Sequence, residues 1–183
     1  MFINKLSKIT YQILGPNLST KLALSSIGTF IFNVLSPGNG KYRMYKADYD
    51  ITLKLTKDEA KIMGVAFLGQ VNPYESVVMQ QKFKPGDTFI DIGAYVDGWY
   101  TLLASKLVGD KGEVYSLEPV FTDCLVQNVN INKLKNAVVD NYAISNKTGE
   151  ANFYKGAGDS SLVKGQTRGG LKEGLEQLPL MTI

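Results

Sequence analysis

The sequence predicts an α/β fold, a partial doubly wound (Rossmann-like) parallel sheet preceded by N-terminal helices. Three observations carry this. From Thr88 to Val139, short apolar runs alternate with helical periodicity in the order strand, helix, strand, helix, strand, the pattern of right-handed βαβ units. The first run, Thr88-Phe89-Ile90-Asp91-Ile92, has no strict polar alternation, as expected of a strand buried on both faces. Glycines then follow that strand where a tight strand-to-helix turn needs them. At 183 residues, with 44% hydrophobic and 20% charged side chains, the chain has the composition of one ordinary globular domain.

Three zones follow one another. Residues 1–40 form a helical extension. Phe2, Leu6, Ile9, Ile13 and Leu14 recur at helical spacing until Pro16, and Leu24, Ile27, Phe30, Ile31, Val34 and Leu35 repeat the pattern until Pro37-Gly38-Asn39-Gly40. Leu22 to Leu35 is largely apolar but interrupted by Ser25, Ser26, Gly28, Thr29 and Asn33, and it is shorter than the roughly 20 residues a spanning helix needs. Lys5 and Lys8 precede it as in a signal peptide, but no clean cleavage site follows. A packed amphipathic helix is expected there, with peripheral membrane contact through residues 22–35 as the alternative.

Residues 41–84 read as a preamble. Tyr49, Ile51, Leu53 and Leu55 alternate with polar neighbours, predicting a half-buried strand, and one helix is expected near Glu75 to Lys82. In the third zone, 85–183, the turn Lys84-Pro85-Gly86-Asp87 leads into the first strand. A helix spans Trp99–Val108, with Trp99, Leu102, Leu103, Leu107 and Val108 on one stripe and Gly109 as C-terminal cap. Asp110-Lys111-Gly112 turns into a second strand, Glu113–Leu117. A helix over Thr122–Ile131 carries Leu125, Val126 and Val129 inward, and Ala137-Val138-Val139 opens a third strand. The glycines from Gly156 to Gly174 read as a mobile surface loop.

Composition excludes several chemistries. There is no histidine and one cysteine, so Ser-His-Asp and Cys-His catalysis, an intramolecular disulfide, a His-ligated zinc site and an all-cysteine metal site are ruled out within this chain. Cys124 is expected to be an inert packed thiol, and a lone thiol fits a reducing, cytoplasmic setting. The net charge of +3, from 20 basic and 17 acidic residues, is too small and too scattered to predict nucleic-acid binding.

The informative segment is the loop Asp91-Ile92-Gly93-Ala94-Tyr95-Val96-Asp97-Gly98. Glycine after a buried strand lets a ligand approach the backbone, and the following helix presents free N–H groups. Asp91 ends the first strand, and Glu118 stands 27 residues later at the end of the second. An acid there can accept both ribose hydroxyls of an adenosine cofactor. A nicotinamide site would read G-x-G-x-x-G around a pyrophosphate. This loop has only Gly93 and Gly98, and Asp91 and Asp97 would repel phosphate. Carboxylates there suit a ligand with an amino group and no phosphate, which describes S-adenosyl-L-methionine.

Lys84-Pro85-Gly86-Asp87-Thr88-Phe89-Ile90-Asp91-Ile92-Gly93-Ala94, then Tyr100-Thr101-Leu102-Leu103-Ala104, Val108-Gly109 and Glu118-Pro119, resemble the FkbM family of methyltransferases. The likeness continues through Asn128, Asn132, Tyr142-Ala143-Ile144-Ser145 and Gly149. It implies a class I methyltransferase fold that binds S-adenosyl-L-methionine and methylates a hydroxyl of a sugar or other small-molecule or glycan acceptor. It further implies that Asp91, Gly93 and Ala94 line the methionine part of the cofactor and that Glu118 binds the ribose. Pro119 would turn the chain beneath the adenine, Asn141 to Ala143 would flank the adenine from the end of the third strand, and Glu75 would face the amino group. The loop departs from the family pattern: Tyr95 replaces the usual Asn or His, and the next glycine, Gly98, comes one residue later. Leu178 to Ile183 resembles the lead-in to a fourth strand with an acidic motif. The chain is therefore expected to be the cofactor-binding half of a longer domain, with its first strand at an open edge that favours self-association. The competing reading is a truncated, non-catalytic cofactor-binding or assembly module.

Overall fold

The computed structural model describes residues 41–56, 59–60, 65, 69–155, 160–161 and 174–182. The two N-terminal helical patterns, the apolar segment 22–35 and most of the glycine-rich 156–174 segment lie outside the described residues. Among the described residues, no helix is long and apolar enough to cross a membrane.

Strands β1 (Tyr42–Lys46) and β2 (Thr52–Thr56) form an antiparallel hairpin, with Tyr42 opposite Thr56 and Lys46 opposite Thr52. The alternation in the second strand buries Ile51, Leu53 and Leu55 completely. The strand starts at Thr52 rather than Tyr49, because Tyr49 and Asp50 adopt left-handed backbone (φ 59 and 54) and make the turn. The outward N–H groups of β2 do not meet another strand. Those of Thr52, Lys54 and Thr56 donate to Asn132 Oδ1 (2.8 Å), Asn128 Oδ1 (2.7 Å) and Glu59 Oε2 (2.7 Å). Side chains thus close an edge that would otherwise invite pairing.

Helix α1 (Pro73–Lys82) begins with proline at its first turn, where no N–H is missed. Its Ser76 hydroxyl accepts the indole N–H of Trp99 at 2.8 Å, fixing α1 against the next helix. The central sheet is parallel, in the order β3 (Thr88–Ile92), β4 (Glu113–Leu117), β5 (Ala137–Asp140). Asp91 sits beside Ser116, and Leu117 beside Asp140. Helices α2 (Trp99–Val108) and α3 (Thr122–Ile131) make the crossovers. Leu102, Leu103 and Val108 of α2, Leu125 and Val129 of α3, and Leu53 and Leu55 of the hairpin share one core with Val114. The preamble and the central sheet therefore pack as one hydrophobic unit.

Two expectations are corrected here. The first strand is not buried on both faces: Ile90 and Ile92 are 52% and 56% exposed, with Val138 on β5 at 49%. Phe89, Val114, Ala137 and Val139 pack into the helix-covered core, and nothing among the described residues covers the opposite face. Val126 on α3 is exposed rather than inward, since the core-facing stripe runs through Leu125, Asn128 and Val129.

A second sheet was not anticipated. Strands β6 (Ala143–Ile144), β7 (Gly149–Lys155), β8 (Ser160–Ser161) and β9 (Gly174–Met181) pair in the order β6-β9-β7-β8. β9 runs antiparallel to β7 and parallel to β6. Ala143, Phe153, Leu178 and Leu180 form its small core, against which Val120 packs.

Candidate cofactor site

The site lies beyond the C-terminal ends of β3 and β4, where open α/β sheets bind ligands. Backbone bonds tie the strand ends together: the Gly93 N–H donates to Leu117 O (2.8 Å), joining β3 to β4, and the Glu118 N–H to Asp140 O (3.1 Å), joining β4 to β5. Gly93 has φ 78, and a side chain there would meet nothing within 4 Å. The chain thus turns sharply and leaves open space above the strand ends, as a ligand approaching the backbone requires.

Asp91 is buried and faces α2. Its Oδ2 accepts the Thr101 hydroxyl at 2.6 Å, and Thr101 Oγ1 lies 2.7 Å from Ser116 Oγ. Burial raises the Asp91 pKa, hydrogen bonds from Thr101 oppose the rise, and nearby Glu118 adds to it. Thr101 and Ser116 escaped the sequence reading. Ser116 was findable, since it sits beside Asp91 in a parallel register.

Glu118 is also buried. Its Oε2 accepts the Tyr95 N–H (2.8 Å), and its Oε1 accepts those of Val120 (2.8 Å) and Phe121 (3.0 Å). A carboxylate has about four acceptor sites. In this conformation Glu118 therefore retains about one for a ribose hydroxyl, on Oε2, rather than the two a bidentate grip uses. Tyr95, with φ 63, turns its ring edge-on to Phe121, centroids 5.1 Å apart. Pro119 stands in the bend between Glu118 and α3.

Asp97 is 5% exposed and immediately precedes Gly98, the N-cap of α2. Burial raises its pKa from 3.8 to about 7; backbone hydrogen bonds from Trp99, Asp97 and Gly98 act against the rise, and Asp91 adds to it. A buried carboxylate beside this helix start disfavours a pyrophosphate there. Glu75 is exposed on the first turn of α1; burial raises the Tyr100 pKa, with Glu75, Asp97 and Asp91 adding to it, while the Asn72 amide donates to the hydroxyl at 2.7 Å and opposes the rise. Among the described residues, no basic side chain forms an ion pair with Glu75, Asp91, Asp97 or Glu118.

The remaining expected residues separate. Gly98 (φ 62) faces α3, where a Cβ would overlap Leu125 Cδ1; glycine is demanded by helix packing. The Ala94 methyl belongs to the main core, leaving its backbone for any ligand. Asn141 is exposed just past β5. The placing of Ala143 at the end of the third strand is corrected: β5 ends at Asp140, and Ala143 is buried in β6 beside Leu180, because the chain there leaves the parallel sheet for the second one.

No family model matches the chain, and no curated protein matches it. Among solved structures, part of it is similar to a SAM-dependent methyltransferase from Aquifex aeolicus, with 34% identity over 36% of each chain and a TM-score of 0.33. M. jannaschii TYW2 in complex with AdoMet is 23% identical over 62% of this chain and 55% of that one, with a TM-score of 0.42. A protein-L-isoaspartate O-methyltransferase is 16% identical over 73% and 41%, with a TM-score of 0.36. The chain spans about a third to about half the length of these structures. None of the three singles out the FkbM family. The functional reading rests on the geometry of the site itself.

Proposed function

We propose that this chain binds S-adenosyl-L-methionine over the ends of β3 and β4 and forms the cofactor-binding part of a methyltransferase. One observation carries the reading. Asp91, Asp97 and Glu118 are buried together without a basic partner among the described residues, with Asp97 immediately before the start of α2. Such a site favours a cationic, phosphate-free ligand and disfavours a dinucleotide. The open space above Gly93 receives the amino-acid portion, held by backbone and by the carboxylates. Glu118 orients the ribose through its remaining acceptor site while it fixes Tyr95 and the start of α3. The cofactor supplies a sulfonium-bound methyl group to an acceptor oxygen, a reaction in which positioning provides much of the rate. The FkbM resemblance supports a sugar or small-molecule hydroxyl as the acceptor class.

Trp99 lies next to the loop and is the only tryptophan, so its emission reports ligand entry. Titration with S-adenosyl-L-methionine and S-adenosylhomocysteine should change it saturably, whereas NADH should not. Saturable quenching by NADH alone would replace this reading with a nicotinamide-dependent one.

A further inference from the structure

Asn128 is completely buried on α3 and uses both ends of its amide on parts of the chain far apart in sequence. Its Oδ1 accepts the Lys54 N–H of β2 at 2.7 Å. Its Nδ2 donates to the carbonyls of Val96 and Asp97, each at 3.3 Å. One turn later, Asn132 faces only the hairpin and its own helix, accepting from the Thr52 N–H and donating to Thr52 O (2.7 Å) and Asn128 O (2.8 Å). We propose that Asn128 is a positioning residue that couples the β1–β2 hairpin to the conformation of the 93–98 loop. This rests on the cofactor reading only for its functional consequence.

Tyr95 and Gly98 both hold left-handed backbone, and for Tyr95 that conformation is unfavourable unless its surroundings enforce it. The Tyr95 N–H is pinned by Glu118 from one side. On the other side, the carbonyls of Val96 and Asp97 meet Asn128. An amide is suited to this place because it offers an acceptor to a strand N–H and donors to loop carbonyls at once. Because buried polar groups left unpaired are costly, the loop holds its shape when the Asn128 amide is oriented, and the hairpin N–H of Lys54 orients it. The segment held is the one that carries Asp97 and leads into Gly98.

Three variants of the full chain test this: Asn128→Asp, Asn132→Asp and Lys54→Pro. Asn128→Asp keeps the acceptor for Lys54 and sets an oxygen against two carbonyls. Asn132→Asp disturbs the hairpin clamp alone. Lys54→Pro deletes the hairpin donor, on the outer edge where the N–H makes no ladder bond with β1, together with the exposed side-chain contacts of Lys54 to Gln127 and the Tyr42 ring, and serves if Asn128→Asp does not fold. Amide hydrogen exchange of the Tyr95–Asp97 peptide and Trp99 emission are read without ligand. Asn128→Asp and Lys54→Pro should speed loop exchange at least about tenfold and shift the emission to the red, whereas Asn132→Asp should loosen Thr52, keep the Lys54 amide protected by Asn128 and leave the loop as it was. Loop exchange unchanged in Lys54→Pro and in any folded Asn128→Asp, or equally fast in Asn132→Asp, overturns the coupling. Affinity for S-adenosyl-L-methionine should fall in parallel with loop protection. Failure of the wild-type chain to bind it would count against the cofactor reading alone, because the exchange result stands without ligand.

Discussion

Replacing Asp97 by asparagine should stabilise the protein at pH 8 and flatten its stability profile. Asp97 is raised to about 7, chiefly by burial, with backbone hydrogen bonds from Trp99, Asp97 and Gly98 opposing and Asp91 adding. Its unfolded value is near 3.8. Between roughly pH 4 and 7 the folded chain therefore holds a proton that the unfolded chain has released. The sign follows from linkage: stability falls as pH rises through that window and levels off above it. About three pKa units correspond to roughly 4 kcal/mol. This is an upper bound, since the partial positive charge of the α2 N-terminus favours the carboxylate. Asparagine keeps an oxygen for the Trp99 N–H and carries no charge. In melts from pH 5 to pH 8, the wild-type Tm should fall by several degrees more than that of Asp97→Asn, at about 2–4 °C per kcal/mol for a chain of this size. Asp91, raised in the same direction, leaves a residual slope in both proteins. Equal slopes, or a variant less stable at pH 8, would refute the argument.

Other substitutions probe the frame of the site. Gly98→Ala meets Leu125 and a left-handed φ of 62, so urea denaturation should show a loss of about 2 kcal/mol or more; an unchanged midpoint would contradict the close approach of α2 to α3. Thr101→Val removes the hydroxyl shared by Asp91 and Ser116. It should cost about 1–3 kcal/mol and push the Asp91 pKa further up, which would move the acid limb of cofactor binding to higher pH. Leu103→Ala, at a fully buried position in the main core, should cost about 2–5 kcal/mol by calorimetry, and a loss below about 1 kcal/mol would mean that α2 does not pack as described.

Much of the parallel sheet was legible because strand and helix periods differ. Trp99–Val108, Glu113–Leu117 and Thr122–Ile131 each have the expected bounds, set by Gly98, Gly109 and the turn at Gly112. The hairpin was read only in half: β1 carries exposed Tyr42 and Met44 and so shows little apolar alternation. The second sheet was missed because β6 and β8 have two residues each and β9 pairs with β6 and β7 only across long sequence separations, which no local pattern encodes. Asp91 and Glu118 were visible as acids at strand ends. What their sequence neighbours could not reveal is how fully each is engaged, since Thr101 and Ser116 reach Asp91 from other elements and backbone groups occupy Glu118. The role of Asn128 was likewise hidden, as both of its contacts lie more than 30 residues away.

The central claim is that a cationic adenosine cofactor binds at Asp91, Gly93 and Glu118, and isothermal titration of the folded chain with S-adenosyl-L-methionine tests it most directly. Wild type should give one saturable site. Glu118→Gln, which keeps an oxygen for Val120 and Phe121 but loses the acceptor shared by Tyr95 and the ribose, should weaken it at least about tenfold while the circular dichroism spectrum is retained. Binding of equal strength in wild type and a folded Glu118→Gln, or no binding by wild type with clear binding of NADH, would contradict the account.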